Sequence, residues 1–451
     1  MADKSAVKAA IGKYRWTICA LLLFAMTINY LDRQVISYLK EFFCRSTDLG
    51  GFGWTNKEFS YLTSSFTGIY ALMTVGAGRL IDKIGTKLGL AWSLVVWSVF
   101  GILNALAGSA IAVHVAIRSL FAAGEAGTFP ASNRTVAEWF PKKERALAFG
   151  IVNSGTNLGA MIAALFVPWC MVFFGDQRGW KMAFVLTGAA GFVWLIFWFW
   201  FYETPKNQRR LSKVEYDYIH MDDVAAQSDD AQQGVPWARL FRYRQTWSFF
   251  FGKLFTDGIW WFYLFWLPDY LIKQFNTAPA DVRWPTFTVY GIAIVGSVYG
   301  GSIPMTLINR GMEVYKARMT AMIMIALCPL ALLFTQHFAS TERYGTLALY
   351  FAVGIISIGA AAHQAWSANL FTTVSDMFPK KAVASITGIG TMAGGVGGVL
   401  LQLLVGSLRD RFKDAPHTAY FIMFVFCALA YVSAWAIMKA LVPRYKLVTD
   451  L

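Results

Sequence analysis

The chain alternates long apolar runs with short polar connections. The runs fall at about 16–38, 58–78, 88–108, 111–133, 146–170, 181–202, 246–271, 286–307, 319–336, 345–368, 386–407 and 418–441. Runs of about 20 residues are long enough to cross a ~30 Å hydrocarbon layer as helices. A lipid-spanning segment must satisfy its own backbone hydrogen bonds, and alternating strands of ~10 residues, the mark of a barrel, are not the pattern here. The pattern therefore predicts an all-α membrane protein with twelve transmembrane helices. The first run, from Trp16 to Leu39, is too long for the core of a cleavable signal and ends in charges, so it reads as an uncleaved span. A break follows the sixth run. Residues 203–243 carry charge, Gln, Ser and Pro with little apolar periodicity. This divides the chain into a first six-helix bundle (1–202), a cytoplasmic linker (203–243) and a second six-helix bundle (244–451).

Composition removes competing classes. Of 451 residues, 57% are hydrophobic and 15% charged, whereas a soluble chain carries about a quarter as charges. The net charge of +14 would suit a nucleic-acid binder, but the Lys and Arg residues sit in the connections between runs rather than on a soluble domain. With both ends in the cytoplasm, cytoplasmic segments hold about 25 Lys and Arg against about 11 outside. That bias predicts cytoplasmic termini. One connection runs against it: Arg409, Arg411 and Lys413 fall outside, beside Asp410 and Asp414. The five cysteines (Cys19, Cys44, Cys170, Cys328, Cys427) show no paired spacing and read as small hydrophobes. The sequence offers no metal-ligand cluster, nucleotide loop or nucleophile–base arrangement, so neither an enzyme nor a bound cofactor is expected. A linker of about 40 residues is also too short for a signalling domain.

One element repeats. Glu138–Lys143 reads EWFPKK after the fourth run, and Asp376–Lys381 reads DMFPKK after the tenth. Equivalent positions in two six-helix halves point to duplication, the arrangement of carriers that rock one half against the other around a central site. Between the second and third runs lies Gly78–Lys87, GRLIDKIGTK. In isolation a polar turn with stop-transfer charges is the competing reading. Asp82 could accept from the start of a neighbouring helix, where the dipole favours an anion. Gly78, Asp82, Lys83, Gly85 and Lys87 stand where the signature loop G-x-x-x-D-[RK]-x-G-x-[RK] of the major facilitator superfamily requires them, and the segment resembles that loop. The resemblance implies two pseudo-symmetric six-helix bundles around a cavity open to one side at a time.

Charges inside the spans are costly in lipid and mark cavities or partners. Asp32 and Arg33 lie in the first span. Arg118 and Glu125 lie two turns apart on one face of the fourth, about 10 Å along the axis. Lys253 and Asp257 lie at i, i+4 in the seventh. An Arg in a cavity can hold a carboxylate through two parallel hydrogen bonds, and a buried acid can hold or release a proton between states. Arg33 and Arg118 are thus candidates for a substrate carboxylate, and Asp32 and Glu125 for proton coupling. Structural ion pairs, Asp32–Arg118 or Lys253–Asp257, are the competing account. Tyr30-Leu31-Asp32-Arg33 with Arg118 and Glu125 resembles the anion:cation symporter branch of the superfamily, and the chain is most similar in kind to its bacterial hexuronate members. That implies import of an organic anion such as glucuronate or galacturonate with protons across a bacterial inner membrane. It implies Tyr30, Arg33 and Arg118 near the substrate, with Tyr70 matching a substrate-contacting tyrosine. Other sugar acids, such as galactonate or tartrate, and a drug:proton antiporter are the alternatives. The paired arginines count against the antiporter.

The second half offers further candidates. Residues 260–266 read WWFYLFW. Aromatic faces can stack on sugar rings, yet seven in a row cannot share one cavity, so Trp260 and Trp261, next to Asp257, are the ones expected inward. His363, Gln364, Trp366 and Asn369 collect groups suited to hydroxyls, although a packing role for His363 competes. In the fifth span Asn153 and Asn157 could face the cavity, while Gly155, Gly159 and the glycines of 388–398 read as close helix packing. The expected partners are a small organic anion, protons and the bilayer, with the chain acting as a monomer.

Overall fold

A computed structural model describes residues 12–221, 237–444 and 447–448. Among these residues the chain is helical, without strands. The twelve long helices are α1 (Tyr14–Cys44), α2 (Asn56–Ile84), α3 (Thr86–Leu103), α4 (Ile111–Glu125), α5 (Lys142–Phe174), α6 (Asp176–Phe201), α7 (Arg244–Phe275), α8 (Arg283–Asn309), α9 (Val314–Leu327), α10 (Leu347–Met377), α11 (Lys380–Arg411) and α12 (Pro416–Leu441). Each corresponds to one apolar run. Most extend past it, because helices continue through the interface where polar residues interrupt the run.

Two spans are not continuous. The fourth stops at Glu125 and resumes as a helix over Thr128–Trp139. The ninth tightens into a 3₁₀ stretch over Cys328–Phe334, with Pro329 at its start, where a missing N–H cannot serve an α-helical ladder. Nine described helical segments are long and apolar enough to cross a membrane. α2, α4 and α7 are not among them. α2 carries a run of Ser and Thr, α4 is cut short, and α7 carries Lys253, Asp257 and Asp269.

The packing pattern shows the internal symmetry. In the first bundle α1 packs on α5 and α6, and α2 on α4. In the second, α7 packs on α11 and α12, and α8 on α10. Advancing each helix of the first set by six gives the second. The bundles meet where α2 lies on α11, α5 on α8 and α1 on α7, and the same operation exchanges the first two contacts. Glycines set the approach. A Cβ on Gly159 would lie 2.3 Å from the Thr27 carbonyl of α1, and one on Gly397 would lie 2.0 Å from the Leu254 carbonyl of α7.

The bundles are latched at the end where α1 and α7 finish. Lys40 Nζ sits 2.6 Å from Asp269 Oδ1 and donates to Asn56 Oδ1 at 2.8 Å. Arg409 Nε lies 3.4 Å from Asp269 Oδ2, and the Tyr420 hydroxyl also donates to that carboxylate. Asp410 accepts from the free backbone N–H groups of Asn56 at 3.0 Å and Lys57 at 2.8 Å, at the start of α2, where the helix dipole favours an anion. Gln402 accepts from Thr63 at 3.1 Å and from the Trp266 indole at 2.5 Å. This accounts for one of the three basic residues that defy the charge bias: Arg409 is buried against Asp269, and its neighbour Asp410 caps α2, while Arg411 and Lys413 are exposed.

The described parts of 203–243 include two short helices, Lys213–Ile219 and Trp237–Leu240, in a stretch whose sequence showed little periodicity. Glu215 accepts from the backbone N–H groups of Tyr14 and Arg15, both at 3.1 Å, and pairs with the Arg15 guanidinium at 3.0 Å. Arg15 also reaches Glu144 at 2.9 Å. The start of this segment is thereby tied to α1 and α5.

Candidate functional site

Midway along α1, Asn29, Asp32 and Arg33 turn inward and are buried. Arg33 Nε donates to Glu125 Oε2 at 3.0 Å, and Nη2 lies 3.0 Å from the same oxygen. Asn29, one turn earlier, accepts from Nη2 at 3.4 Å. The guanidinium is boxed by aromatic faces, with ring centroids of Tyr30 at 4.2 Å, Tyr70 at 4.7 Å, and Phe66 and Trp261 at 5.3 Å. Such faces attract a cation and exclude water. Trp261 comes from α7, so this box draws on both bundles.

Glu125 ends α4 where the fourth span breaks. Gly124 makes its position possible, since a Cβ there would lie 2.7 Å from the Trp97 backbone nitrogen of α3. Trp97 in turn donates its indole N–H to Asp32 at 3.2 Å. Arg118 packs over Phe121 at 4.4 Å and Phe66 at 4.9 Å, and its Nη2 donates to the Arg33 carbonyl at 3.2 Å. Arg118 Nε and Nη1 are buried without a hydrogen-bond partner among the described residues, as is Glu125 Oε1. The ion pair that forms is Arg33–Glu125, not Asp32–Arg118. Two carboxylates and two guanidiniums balance formally, while one guanidinium keeps donors to spare.

A second cluster lies on the other bundle. Lys253 Nζ is 2.6 Å from Asp257 Oδ2 and 4.5 Å from the Phe371 ring centroid. Asp257 lies against Gly394, where a Cβ would come within 2.2 Å of its carboxylate. Trp260 stacks on His363 at 5.2 Å, and His363 Nδ1 is 2.8 Å from the Tyr431 hydroxyl. Trp366 is buried against Tyr431, with its indole nitrogen unpartnered among the described residues. Asn369 uses its amide on the carbonyls of Gly300 at 2.8 Å and Ala365 at 2.9 Å, tying α10 to α8. Gln364 is half-buried. On α5, Asn153 is half-buried and Asn157 is buried, its Oδ1 unpartnered among the described residues.

The signature loop is a tight corner. Gly85 (φ 82, ψ 160) both ends α2 and begins α3, in a region of backbone space that is essentially reserved for glycine. Arg134 donates to the Ile81 carbonyl at 3.3 Å and pairs with Glu138 at 2.9 Å. Glu138, the acid of the first repeat, also accepts from Thr86 at the start of α3, at 2.9 Å. Asp376, the acid of the second repeat, holds Arg318 at the start of α9 at 2.5 Å. Lys87 pairs with Glu203 at 2.5 Å, and this hydrogen-bonded ammonium lowers the Glu203 carboxyl below its ordinary range. Lys83 is exposed, and Gly78 faces open space. The Asp82 side chain lies outside the described ones.

Sequence reasoning did not single out Phe66, Phe121, Asn29 or Trp97. Asn29 stands four residues before Arg33 and Phe66 four before Tyr70, so helical spacing could have found both. Nothing local marks Trp97 as the partner of Asp32.

Two six-helix bundles joined about a buried charged cluster define a membrane carrier. The chain belongs to the Major Facilitator Superfamily, whose family model matches residues 22–401. It is 29% identical over 427 residues to the hexuronate transporter of Escherichia coli (strain K12), covering 94% of each chain. It is 30% identical over 292 residues to the galacturonate transporter of Dickeya chrysanthemi, covering 64% of this chain and 81% of the relative. Among solved structures, the D-xylose-proton symporter matches with a TM-score of 0.72 at 14% identity, covering 97% of this chain and 100% of that one, a likeness of fold.

Proposed function

We propose that this chain is a symporter that imports a sugar-acid anion, a hexuronate such as galacturonate or glucuronate, together with protons. The observation that carries the reading is Arg118, a buried guanidinium with two N–H groups unpartnered among the described residues, next to the Arg33–Glu125 pair. Nε and Nη1 diverge, so the parallel pair for one carboxylate is either of them with the second Nη2 hydrogen. The aromatic faces of Tyr30, Tyr70 and Trp261 suit the apolar side of a sugar ring. The relatives named for hexuronate and galacturonate support this class of anion.

Charge balance supplies the coupling. Asp32, Arg33, Arg118 and Glu125 sum to zero. A carboxylate added to this buried set leaves one uncompensated negative charge, which is expensive away from water. A proton on Asp32 or Glu125 restores neutrality. Protonating Glu125 also frees Arg33 to turn toward substrate. Loaded and empty carriers then reorient, while the half-loaded one does not. Lys253, Asp257, Trp260, His363, Gln364 and Trp366 offer the second bundle's contacts to the sugar hydroxyls.

In this reading 1–202 and 244–451 are the rocking units and 203–243 links them. Both termini lie in the cytoplasm of a bacterial inner membrane, and the chain works as a monomer. The Lys40–Asp269–Arg409 latch then closes the extracellular side. The test is uptake of radiolabelled galacturonate and glucuronate into proteoliposomes, with and without an inward proton gradient. Gradient-driven accumulation, abolished by a protonophore and competed by unlabelled sugar acid, is the expected result. Inert sugar acids together with proton-driven movement of cationic drugs would overturn it in favour of an antiporter.

A further inference from the structure

A cleft of about 610 Å³ opens between the start of α9 and the end of α12, away from the charged centre. Its mouth carries Lys316, Lys439 and Arg444 against, among the described residues, a single carboxylate, Glu313. Lys439 is held in place, donating to the Pro443 carbonyl at 2.7 Å and lying 5.0 Å from the Tyr315 ring centroid. Tyr315 is itself fixed by its hydroxyl, which donates to the Val442 carbonyl. Arg318, the nearby cation that could have joined the set, is taken by Asp376.

The lining changes character with depth. One turn inward from Lys439 lies Trp435, its indole donating to the Met319 carbonyl at 2.9 Å. From Lys316 the wall runs through Met319 to Ile323, two helical turns or about 10 Å. Cations at the mouth, Tyr and Trp at the level where spans meet water, and aliphatic side chains below reproduce the profile of one bilayer leaflet. A free anion would need only the mouth. A phospholipid uses the whole gradient, because its headgroup and its chains cannot be separated.

We propose that this cleft is a binding site for an anionic phospholipid, with the phosphate held by Lys316, Lys439 and Arg444, the glycerol region beside Tyr315 and Trp435, and an acyl chain along Met319 and Ile323. The site faces the leaflet on the side of the chain's ends, and its occupant bridges α9 to α12. It does not depend on which anion the carrier moves.

The test is native mass spectrometry of the full-length protein released from nanodiscs. Nanodiscs of phosphatidylcholine with 20% phosphatidylglycerol, the composition used as probe, should leave one retained phosphatidylglycerol per chain, and phosphatidylcholine alone should leave none. The variant carrying Lys316→Gln, Lys439→Gln and Arg444→Gln should bind phosphatidylglycerol roughly 100-fold more weakly, three surface cations having been removed. The exposed single variant Lys316→Gln should weaken it several-fold and provides the reading if the triple variant does not fold. Equal retention of phosphatidylcholine, or undiminished phosphatidylglycerol on Lys316→Gln, overturns the proposal. Displacement of the lipid by millimolar inorganic phosphate also overturns it, in favour of a free-phosphate site.

Discussion

Asp269→Asn should open the latched end. In the structure one carboxylate serves two cations: Lys40 Nζ at 2.6 Å and Arg409 Nε at 3.4 Å. All three residues are buried, none more than 5% exposed. Asparagine keeps the shape and the hydrogen-bonding oxygen but removes the charge, leaving two cations uncompensated. Breaking a buried pair from one side costs about 3–5 kcal/mol. Lys40 belongs to α1 and Asp269 to α7, so separation of the bundles lets water reach both cations, and the cost falls on the closed state alone. At 1.4 kcal/mol per decade, the closed-to-open ratio should fall between roughly a hundredfold and a few thousandfold. Spin labels at Asp48 and Lys413, in the exposed connections beyond α1 and α11, report the gap by electron–electron double resonance once Cys44 and Cys328 have been replaced by serine. The variant should shift the distance distribution outward, while Asp269→Glu should largely retain the closed peak. An unchanged distribution in a variant whose unfolding temperature has not moved would refute the electrostatic account of the latch.

Four further outcomes follow from the geometry. Arg118→Lys should weaken binding of galacturonate at least tenfold in isothermal titration, because a point charge cannot present two parallel donors, while Arg33→Lys should also lower thermal stability by losing the guanidinium's hydrogen bonds to Glu125 and Asn29 and its fit between the aromatic faces. Asp32→Asn and Glu125→Gln should each abolish accumulation against a gradient in proteoliposomes, with counterflow exchange surviving in at least one; concentrative uptake by both would dismiss these acids as proton carriers. Gly397→Ala should destabilise the protein by about 1–3 kcal/mol in detergent melts, since the new methyl meets the Leu254 carbonyl, a backbone atom, at 2.0 Å. The Glu203 carboxyl, lowered by its hydrogen bond to Lys87, should titrate below an ordinary glutamate by ¹³C NMR and return toward it in Lys87→Gln. Because the folded value is depressed, that contact stabilises above the ordinary carboxylate range and is lost as pH falls through the lowered value. Its exposure limits the effect to less than about 1 kcal/mol.

Helix number and fold class were legible because lipid imposes a one-dimensional rule. Each span must be apolar over a fixed length and must satisfy its own backbone, so the pattern is local and survives without knowledge of neighbours. Asp32, Arg33, Arg118 and Glu125 stood out for the same reason: a charge in an apolar run is conspicuous, and its cost demands a use. The break after Glu125 and the 3₁₀ stretch after Leu327 were not legible, since an apolar run reads alike whether or not its helix is interrupted.

The pairing of charges belonged to the tertiary structure. Sequence offered Asp32–Arg118 as the competing structural pair, and the fold instead joined Arg33 to Glu125 and left Arg118 with donors to spare. The same holds for Arg409 and Asp410, which read as charges of an outside connection and turned out, with Lys40 and Asp269, to bind the two bundles together. Periodicity fixes which residues share a face of one helix. Which faces meet depends on glycine-permitted approaches such as Gly397 on Leu254 and on residues more than 200 positions apart in the chain, and only the packed bundles decide those.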